Sequence, residues 1–214
     1  TACTRAPDVP AAVWASYRDA AEYAGLTIDY PLDGTLFPPE VAPPTFQWHD
    51  TDPRVNAWAL ALQFADGGEP LRCTTDEPQW TPDAAQWAEI QRRTREQDGR
   101  LIVLGVQRAV PGTILSGARV TLRTSADEVG APLFYREVNL PFAEAVKDPS
   151  RIRWRFGPVS SRQPPPIVLE NLPVCGNCHS FSTDGAMLGM DVDYANDKGS
   201  YALTPVRREM PLAT

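Results

Sequence analysis

Histidine is nearly missing from this chain: His49 and His179 are the only two in 214 residues. With so few imidazoles, a Ser–His–Asp hydrolase site has almost nothing to be built from. No carboxylate pair stands out as an acid–base couple either. Sulfur is scarce too, limited to Cys3, Cys73, Cys175 and Cys178 with Met187, Met190 and Met210. No run of 18 apolar residues occurs, so no segment reads as a membrane-spanning helix. Positive charge is in deficit: 20 Lys and Arg against 27 Asp and Glu leave a net charge of −7. That balance argues against nucleic acid as a partner, while leaving room for docking through a local patch. No charged n-region with an apolar h-region precedes the domain, so any signal peptide is expected to have been removed or left out.

What is there concentrates the scarce residues. Cys175-Gly176-Asn177-Cys178-His179 holds half of the Cys and half of the His in one short stretch. C-x-x-C-H is the spacing that attaches a c-type haem. Two thiols three positions apart can each form a thioether to a haem vinyl group. The His that follows is then held under the porphyrin, where its imidazole ligates iron. Gly176, without a Cβ, lets the backbone turn tightly beside the macrocycle.

Three other readings compete. A thioredoxin-like dithiol sits between a strand and a helix in a βαβ unit. Here Pro173-Val174 leads in, and Ser180-Phe181-Ser182-Thr183-Asp184-Gly185 reads as a loop or turn. A structural zinc site needs four ligands. Cys175, Cys178 and His179 supply three at most, and the fourth would be His49 or an isolated Cys. A plain Cys175–Cys178 disulfide or dithiol is the third. The expected cofactor is one covalent haem c, with His179 as the proximal iron ligand. Such attachment takes place outside the cytoplasmic membrane in bacteria, so a periplasmic or extracytoplasmic location is expected, with attachment to the membrane surface.

The sixth ligand must come from His49, Met187, Met190 or Met210. Asp184-Gly185 reads as a tight turn and Leu188 to Tyr194 as the strand leaving it. That course would bring Met190 back over the haem face opposite His179, with Gly189 permitting close approach. Met190 is therefore expected as the distal ligand, ahead of His49, Met210 and Met187. Cys3 has two mutually exclusive fates. It can pair with Cys73 and pin the N-terminal arm, or, because Thr1-Ala2-Cys3 looks like the end of a lipobox, carry a diacylglycerol anchor. The disulfide is preferred.

Two further clusters have bland readings that prevail. Arg151, Arg153 and Arg155 alternate with Ile152, Trp154 and Phe156, and are expected to form a solvated strand face rather than a partner for haem propionates. Asp191, Asp193, Asn196 and Asp197 resemble a calcium loop only superficially, lacking its mid-loop Gly and terminal Glu.

Periodicity outlines the elements. Val13, Tyr17, Ala20, Ala21 and Ala24 make one apolar stripe and predict a helix over 10–24, stopped by Gly25. The segment 26–47 is dense in Pro and predicted to be extended. A second helix is predicted over 82–97, with Thr81 as N-cap, Pro82 at its first position and Gly99 as a stop. Strand-like runs at 46–48, 58–64, 101–108, 118–124, 133–138 and 151–156 come with frequent turn signals. Together they predict a mainly β chain: an immunoglobulin-like β-sandwich with two short helices. Ser161-Arg162-Gln163-Pro164-Pro165-Pro166 is a stiff connector. The predicted domains are an arm and helix over 1–27, a sandwich over 28–160, the connector over 161–166, and a small irregular haem segment over 167–214.

The stretch from Val168 to Tyr201, with its C-x-x-C-H, resembles the haem-attachment region of a family of exported bacterial c-type cytochromes. In that family an immunoglobulin-like N-terminal region precedes the haem segment, and a WD40-like, TolB-type β-propeller often follows. Residues 30–40 and 131–138 are similar to the same family's N-terminal part. Ser180 to Gly185 resembles the S-x-D-G turn of a propeller blade, although the propeller itself has no counterpart in this chain. The resemblance implies His179 as proximal ligand and Met190 as candidate distal ligand.

The expected function is single-electron transfer by a monohaem cytochrome, docked to a redox partner or a membrane-bound electron-transfer complex. An alternative is an accessory subunit of a respiratory or photosynthetic complex, with the sandwich as a binding module. A further alternative is a haem enzyme or gas sensor with an open sixth site.

Overall fold

The computed structural model describes residues 9–110, 112–172, 176–194 and 197–210. The chain is mainly β and divides into two compact units, Thr1–Val129 and Gly130–Thr214.

The first unit runs α1 (Val9–Ser16), β1 (Leu26–Tyr30), β2 (Thr35–Phe37), β3 (Phe46–Asp50), β4 (Ala57–Phe64), β5 (Leu71–Thr75), β6 (Gln79–Trp80), α2 (Ala84–Arg93), β7 (Gly99–Val106) and β8 (Ile114–Thr124). Its strands form a three-stranded sheet of order β1-β3-β6 and a five-stranded sheet of order β2-β8-β7-β4-β5. All these pairings are antiparallel except β2 with β8. One apolar core takes Ile28, Phe46, Trp48 and Trp80 from the small sheet and Phe37, Leu60, Leu62, Leu101 and Leu122 from the large one.

Strand patterns follow from which faces are covered. On β3, Phe46 and Trp48 point inward while Gln47 and His49 point out, the alternation of a strand with one wet face. Strand β4 is apolar and buried on both faces from Ala57 to Leu62, and only Gln63 near its end is exposed. Trp58, Leu60 and Leu62 face the main core, whereas Ala57 and Ala59 meet Val13 of α1 on the other side. Small side chains on that outer face let the helix approach the sheet.

Several boundaries differ from the sequence reading. The first helix ends at Ser16 rather than near 24. The Arg18 guanidinium donates to the Ala15 and Tyr17 carbonyls (2.7 and 2.8 Å), satisfying the helix end. Arg18 N–H then turns to the Tyr23 hydroxyl at 3.0 Å. The second helix is capped by Asp83, not Thr81. Asp83 Oδ1 accepts from Ala85 and Gln86 N–H, and Gln86 Oε1 accepts from Asp83 N–H, completing a capping box. Thr81 instead shares a hydroxyl hydrogen bond with Thr45.

The second unit runs β9 (Leu133–Glu137), α3 (Phe142–Lys147), β10 (Arg153–Gly157), β11 (Ile167–Leu169), β12 (Gly176–Phe181), β13 (Met187–Tyr194) and β14 (Asp197–Pro205). It holds two three-stranded antiparallel sheets, β11-β10-β9 and β12-β13-β14. The division therefore falls at Val129/Gly130 and not at the Pro connector. Strand β10 pairs with β9 before the three Pro and with β11 after them, so the connector is an internal loop of this unit. The C-terminal segment is correspondingly a regular antiparallel sheet rather than irregular, and α3 is a helix the periodicity did not reveal. Trp154, Leu169, Leu172, Leu188, Met190 and Met210 form this unit's core. Among the described residues, no helix is long and apolar enough to cross a membrane.

Candidate functional site

The hairpin β12–β13 carries the chemistry-bearing residues, and its turn is tightly specified. Ser182 Oγ donates to Asp184 Oδ1 at 2.6 Å, and the same oxygen accepts from Ala186 N–H at 3.0 Å. Met187 N–H donates to Ser182 Oγ at 2.9 Å, and Gly185 takes φ +69°, a conformation open to Gly at little cost. The Ser182 hydroxyl, and then the Ala186 N–H, hold the Asp184 carboxyl below its ordinary range. This turn sets the register: Phe181 lies opposite Leu188, Ser180 opposite Gly189, and His179 opposite Met190.

A register shift between Gly176 and His179 places a bulge at Asn177 and Cys178. On a regular strand Cys178 and His179 would point to opposite faces; a bulge locally relaxes that alternation and re-aims side chains. Cys178 is a free, exposed thiol. Cys175 lies outside the described residues. Arg136 Nη1 donates to the Gly176 carbonyl at 3.1 Å, tying the start of β12 to β9.

The His179 imidazole sits among aromatic edges. Its ring centroid lies 4.9 Å from Phe134 and 5.0 Å from Trp154, both nearly perpendicular, and 6.4 Å from Phe181. Phe134 stacks on Trp154 at 5.1 Å. These rings confine the imidazole plane. Trp154 is 1% exposed, and its indole N–H has no hydrogen-bond partner among the described residues. The indole N–H groups of Trp14, Trp48 and Trp80 in the first unit are likewise buried without a partner among the described residues, so this feature does not single out Trp154.

Phe134 and Phe181 also line a cavity of about 860 Å³. Phe156, Val168, Val206 and Met210 continue its apolar wall, and Arg207, Arg208 and the acidic Glu209 stand on its lining. The volume lies within the ~300–1,000 Å³ usual for small-molecule and cofactor sites.

The remaining sequence candidates are dispersed. Met190 is 1% exposed, and its sulfur stands 2.5 Å from where a Cβ on Gly176 would be. Met187 lies opposite Pro205, one residue out of phase with Leu188 and Met190 and hence on the other face of β13. His49, in the first unit, is exposed with Nδ1 2.9 Å from Asp29 Oδ1 across β1–β3. Cys73 is 2% exposed on β5 and disulfide-bonded. Cys3, the partner expected for it, lies outside the described residues.

Arg153 and Arg155 do not form a merely solvated face. Both bond Glu137 on the neighbouring strand, and Arg155 Nη1 also reaches the Pro165 carbonyl at 2.6 Å. Arg155 foremost holds the Glu137 carboxyl below its ordinary range. Of the cluster Asp191, Asp193, Asn196 and Asp197, Asn196 lies outside the described residues. Among the described residues no group of three or more His, Cys, Asp and Glu could hold a metal ion.

The residues that would hold a covalent c-type haem are Cys175, Cys178 and His179, and neither Cys178 nor His179 is on the lining of the cavity. The free Cys178 thiol precedes an imidazole flanked by Phe134, Trp154 and Phe181, and Phe134 and Phe181 also line a cavity with both cationic and acidic side chains on its wall. Sequence reasoning missed Phe134, Phe181, Arg207 and Arg208. The alternation at 151–156 did mark Trp154 as inward-facing, but nothing local showed what it would face. Compared with family models, with curated proteins and with solved structures, the chain matches none.

Proposed function

We propose that this chain is a monohaem c-type cytochrome of the exported bacterial kind its C-x-x-C-H segment resembles, transferring single electrons outside the cytoplasmic membrane. The observation that supports the reading is the C-x-x-C-H motif itself, with His179 packed against Phe134 and Phe181, two rings that also line an apolar cavity. When bound, haem would supply an iron couple cycling between ferrous and ferric states.

The chain's own residues have distinct tasks. Cys175 and Cys178 would hold the group covalently, and His179 would ligate its iron. Phe134 and Trp154 restrict the His179 ring, which fixes the orientation of a ligand in the way outer residues orient metal-bound imidazoles. Phe156, Val168 and Val206 give the cavity an apolar wall, a surrounding that tunes a reduction potential. Arg207 and Arg208 offer cations to the carboxylates that a haem carries.

The first unit supports a docking role. Its strand order, β1-β3-β6 and β2-β8-β7-β4-β5 with a parallel β2–β8 pair, supports the reading of an immunoglobulin-like sandwich. Such a module suits attachment to a redox partner or a larger membrane-bound complex. The accessory-subunit reading differs only in making the haem marginal to turnover.

The test is a reduced-minus-oxidised visible spectrum with a pyridine haemochrome assay, on protein made in a host that attaches haem c. A c-type α-band at one haem per chain is expected, and Cys178→Ser together with Cys175→Ser should abolish covalent attachment. A colourless wild-type protein from such a host would sink the proposal. Tight CO binding by the reduced wild-type protein would shift the reading to an enzyme or gas sensor.

A further inference from the structure

Strand β12 is held at its two ends by different means. At the far end the Ser182–Asp184 turn sets Phe181 against Leu188 and His179 against Met190. At the start Gly176 lies opposite Val192. Between these points β12 advances three residues, Gly176 to His179, while β13 advances two, Val192 to Met190. The extra residue is absorbed at Asn177-Cys178, inside the C-x-x-C-H motif. Val192 and Met190 share a face of β13. Gly176 and His179 therefore share one too, at a spacing that regular alternation forbids. Both face inward: the Met190 sulfur stands 2.5 Å from where a Gly176 Cβ would be, and the His179 ring lies 5.0 Å from Trp154.

If the bulge relaxed with the turn intact, Gly176 would slip opposite Asp193 and Cys178 opposite Asp191. Asp191 is exposed and out of phase with Met190, on the other face of β13. Cys178 would then project away from the side that carries His179. The bulged register frees the thiol from that alternation.

We propose that Arg136 is the positioning residue that holds this bulge and so sets Cys178 against His179. In the β9–β10 ladder Arg136 is directly opposite Trp154, and Phe134 is opposite Phe156, so all four share one face. That face meets β12 point by point. Phe134 lies 5.2 Å from Phe181 and 4.9 Å from His179, and Trp154 also meets His179. Beyond them Arg136 Nη1 donates to the Gly176 carbonyl at 3.1 Å. A bulge disrupts the ladder and leaves backbone groups to be satisfied from elsewhere, and this half-buried guanidinium supplies a donor at its first residue. The bearing on haem rests on the cytochrome reading above: with the register relaxed, one macrocycle could not reach Cys178 and His179 on opposite sides of a strand.

The experiment records cross-strand NOEs and covalent haem content in the reduced full chain, purified from a host that attaches haem c. It compares the wild type with Arg136→Met, Arg136→Lys and Leu169→Ala. Arg136→Met should exchange the Gly176–Val192 NOEs for Gly176–Asp193 and lower the haem content several-fold. Its His179–Met190 NOEs should persist, which separates a local slip from collapse of the fold. Arg136→Lys keeps the charge but not the planar fork and should show the same change in part. Leu169→Ala, in the buried core of the same unit, should lose thermal stability with register and haem content unchanged. Gly176–Val192 NOEs intact in Arg136→Met would overturn the positioning role, as would, if that variant does not fold, their full retention in Arg136→Lys. An equal slip in Leu169→Ala would overturn it too, by making the register a property of the whole unit. A slipped register with haem content unchanged removes Arg136 from attachment. The slip in a chain whose wild type carries no haem supports the positioning role and sinks the cytochrome reading alone.

Discussion

Gly105 illustrates how much one atom matters at the residue scale. It sits on β7 where Asp50 receives hydrogen bonds from Ser116 Oγ and from Trp58 Nε1 (3.1 Å). A Cβ there would come within 2.5 Å of Asp50 Oδ2 and 3.0 Å of Val55. Gly105→Ala should therefore destabilise the chain by about 1–3 kcal/mol, the usual cost of forcing an extra group into a packed site. Urea unfolding measures this, and a midpoint equal to that of the wild type would show that the network yields without cost. At Gly34, where nothing lies within 4 Å of such a Cβ, only the backbone conformation at φ +76° resists substitution. The C-x-x-C-H motif on which the proposed haem rests is legible for a residue-scale reason. Thioether attachment depends on covalent spacing, which is visible without any fold.

At the scale of elements, α2 shows where sequence signals compete. Thr81 and Asp83 are both acceptable N-caps by type. The choice falls to Asp83 because Gln86 is three residues on and can reach back to the cap N–H. Asp83→Ala should accordingly cost about 1 kcal/mol, while Thr81→Ala should cost clearly less. Thermal melts of the two variants decide it, and a larger loss in Thr81→Ala would assign the cap to Thr81. Trp87 and Ile90 then face the core on consecutive turns, with Trp87 Nε1 donating to the Val41 carbonyl at 2.8 Å. The β12–β13 hairpin is the functional counterpart. Its turn chemistry was readable in Asp184-Gly185, but the pairing of His179 with Met190 followed only from the register that the turn sets.

For the molecule as a whole, exposed ion pairs make stability depend on acid. Arg93 of α2 lies over the Phe64 ring and bonds Asp66 in the loop after β4, at 2.7 Å. The Arg93 guanidinium, and then the Gly68 N–H, lower the Asp66 carboxyl to about 2. Arg54 does the same for Asp52, also to about 2. An unfolded Asp titrates near ~4. A carboxylate held lower in the folded state binds fewer protons there. Its contribution is complete above ~4 and is lost as pH falls through about 2. The melting temperature should drop across that window. Asp66→Asn should be less stable at neutral pH and show a shallower acid decline, and high salt should shrink the difference. An identical decline in variant and wild type would remove Asp66 as a cause.

The sequence by itself determined the mainly β character, most strand positions and the C-x-x-C-H spacing. Each of these depends on residues close together in the chain: alternation along a strand, turn residues at its end, thiols three positions apart. Tertiary structure alone decided the rest. It placed the domain division at Val129/Gly130, because β10 pairs across three Pro with β11. It set Phe134 and Trp154 beside His179 through the β9–β10 ladder. It also set Met190 beside His179 on one sheet face while leaving Met210 on the cavity wall. Strand pairing joins residues far apart in sequence, and no local pattern records which strands will meet or in what register.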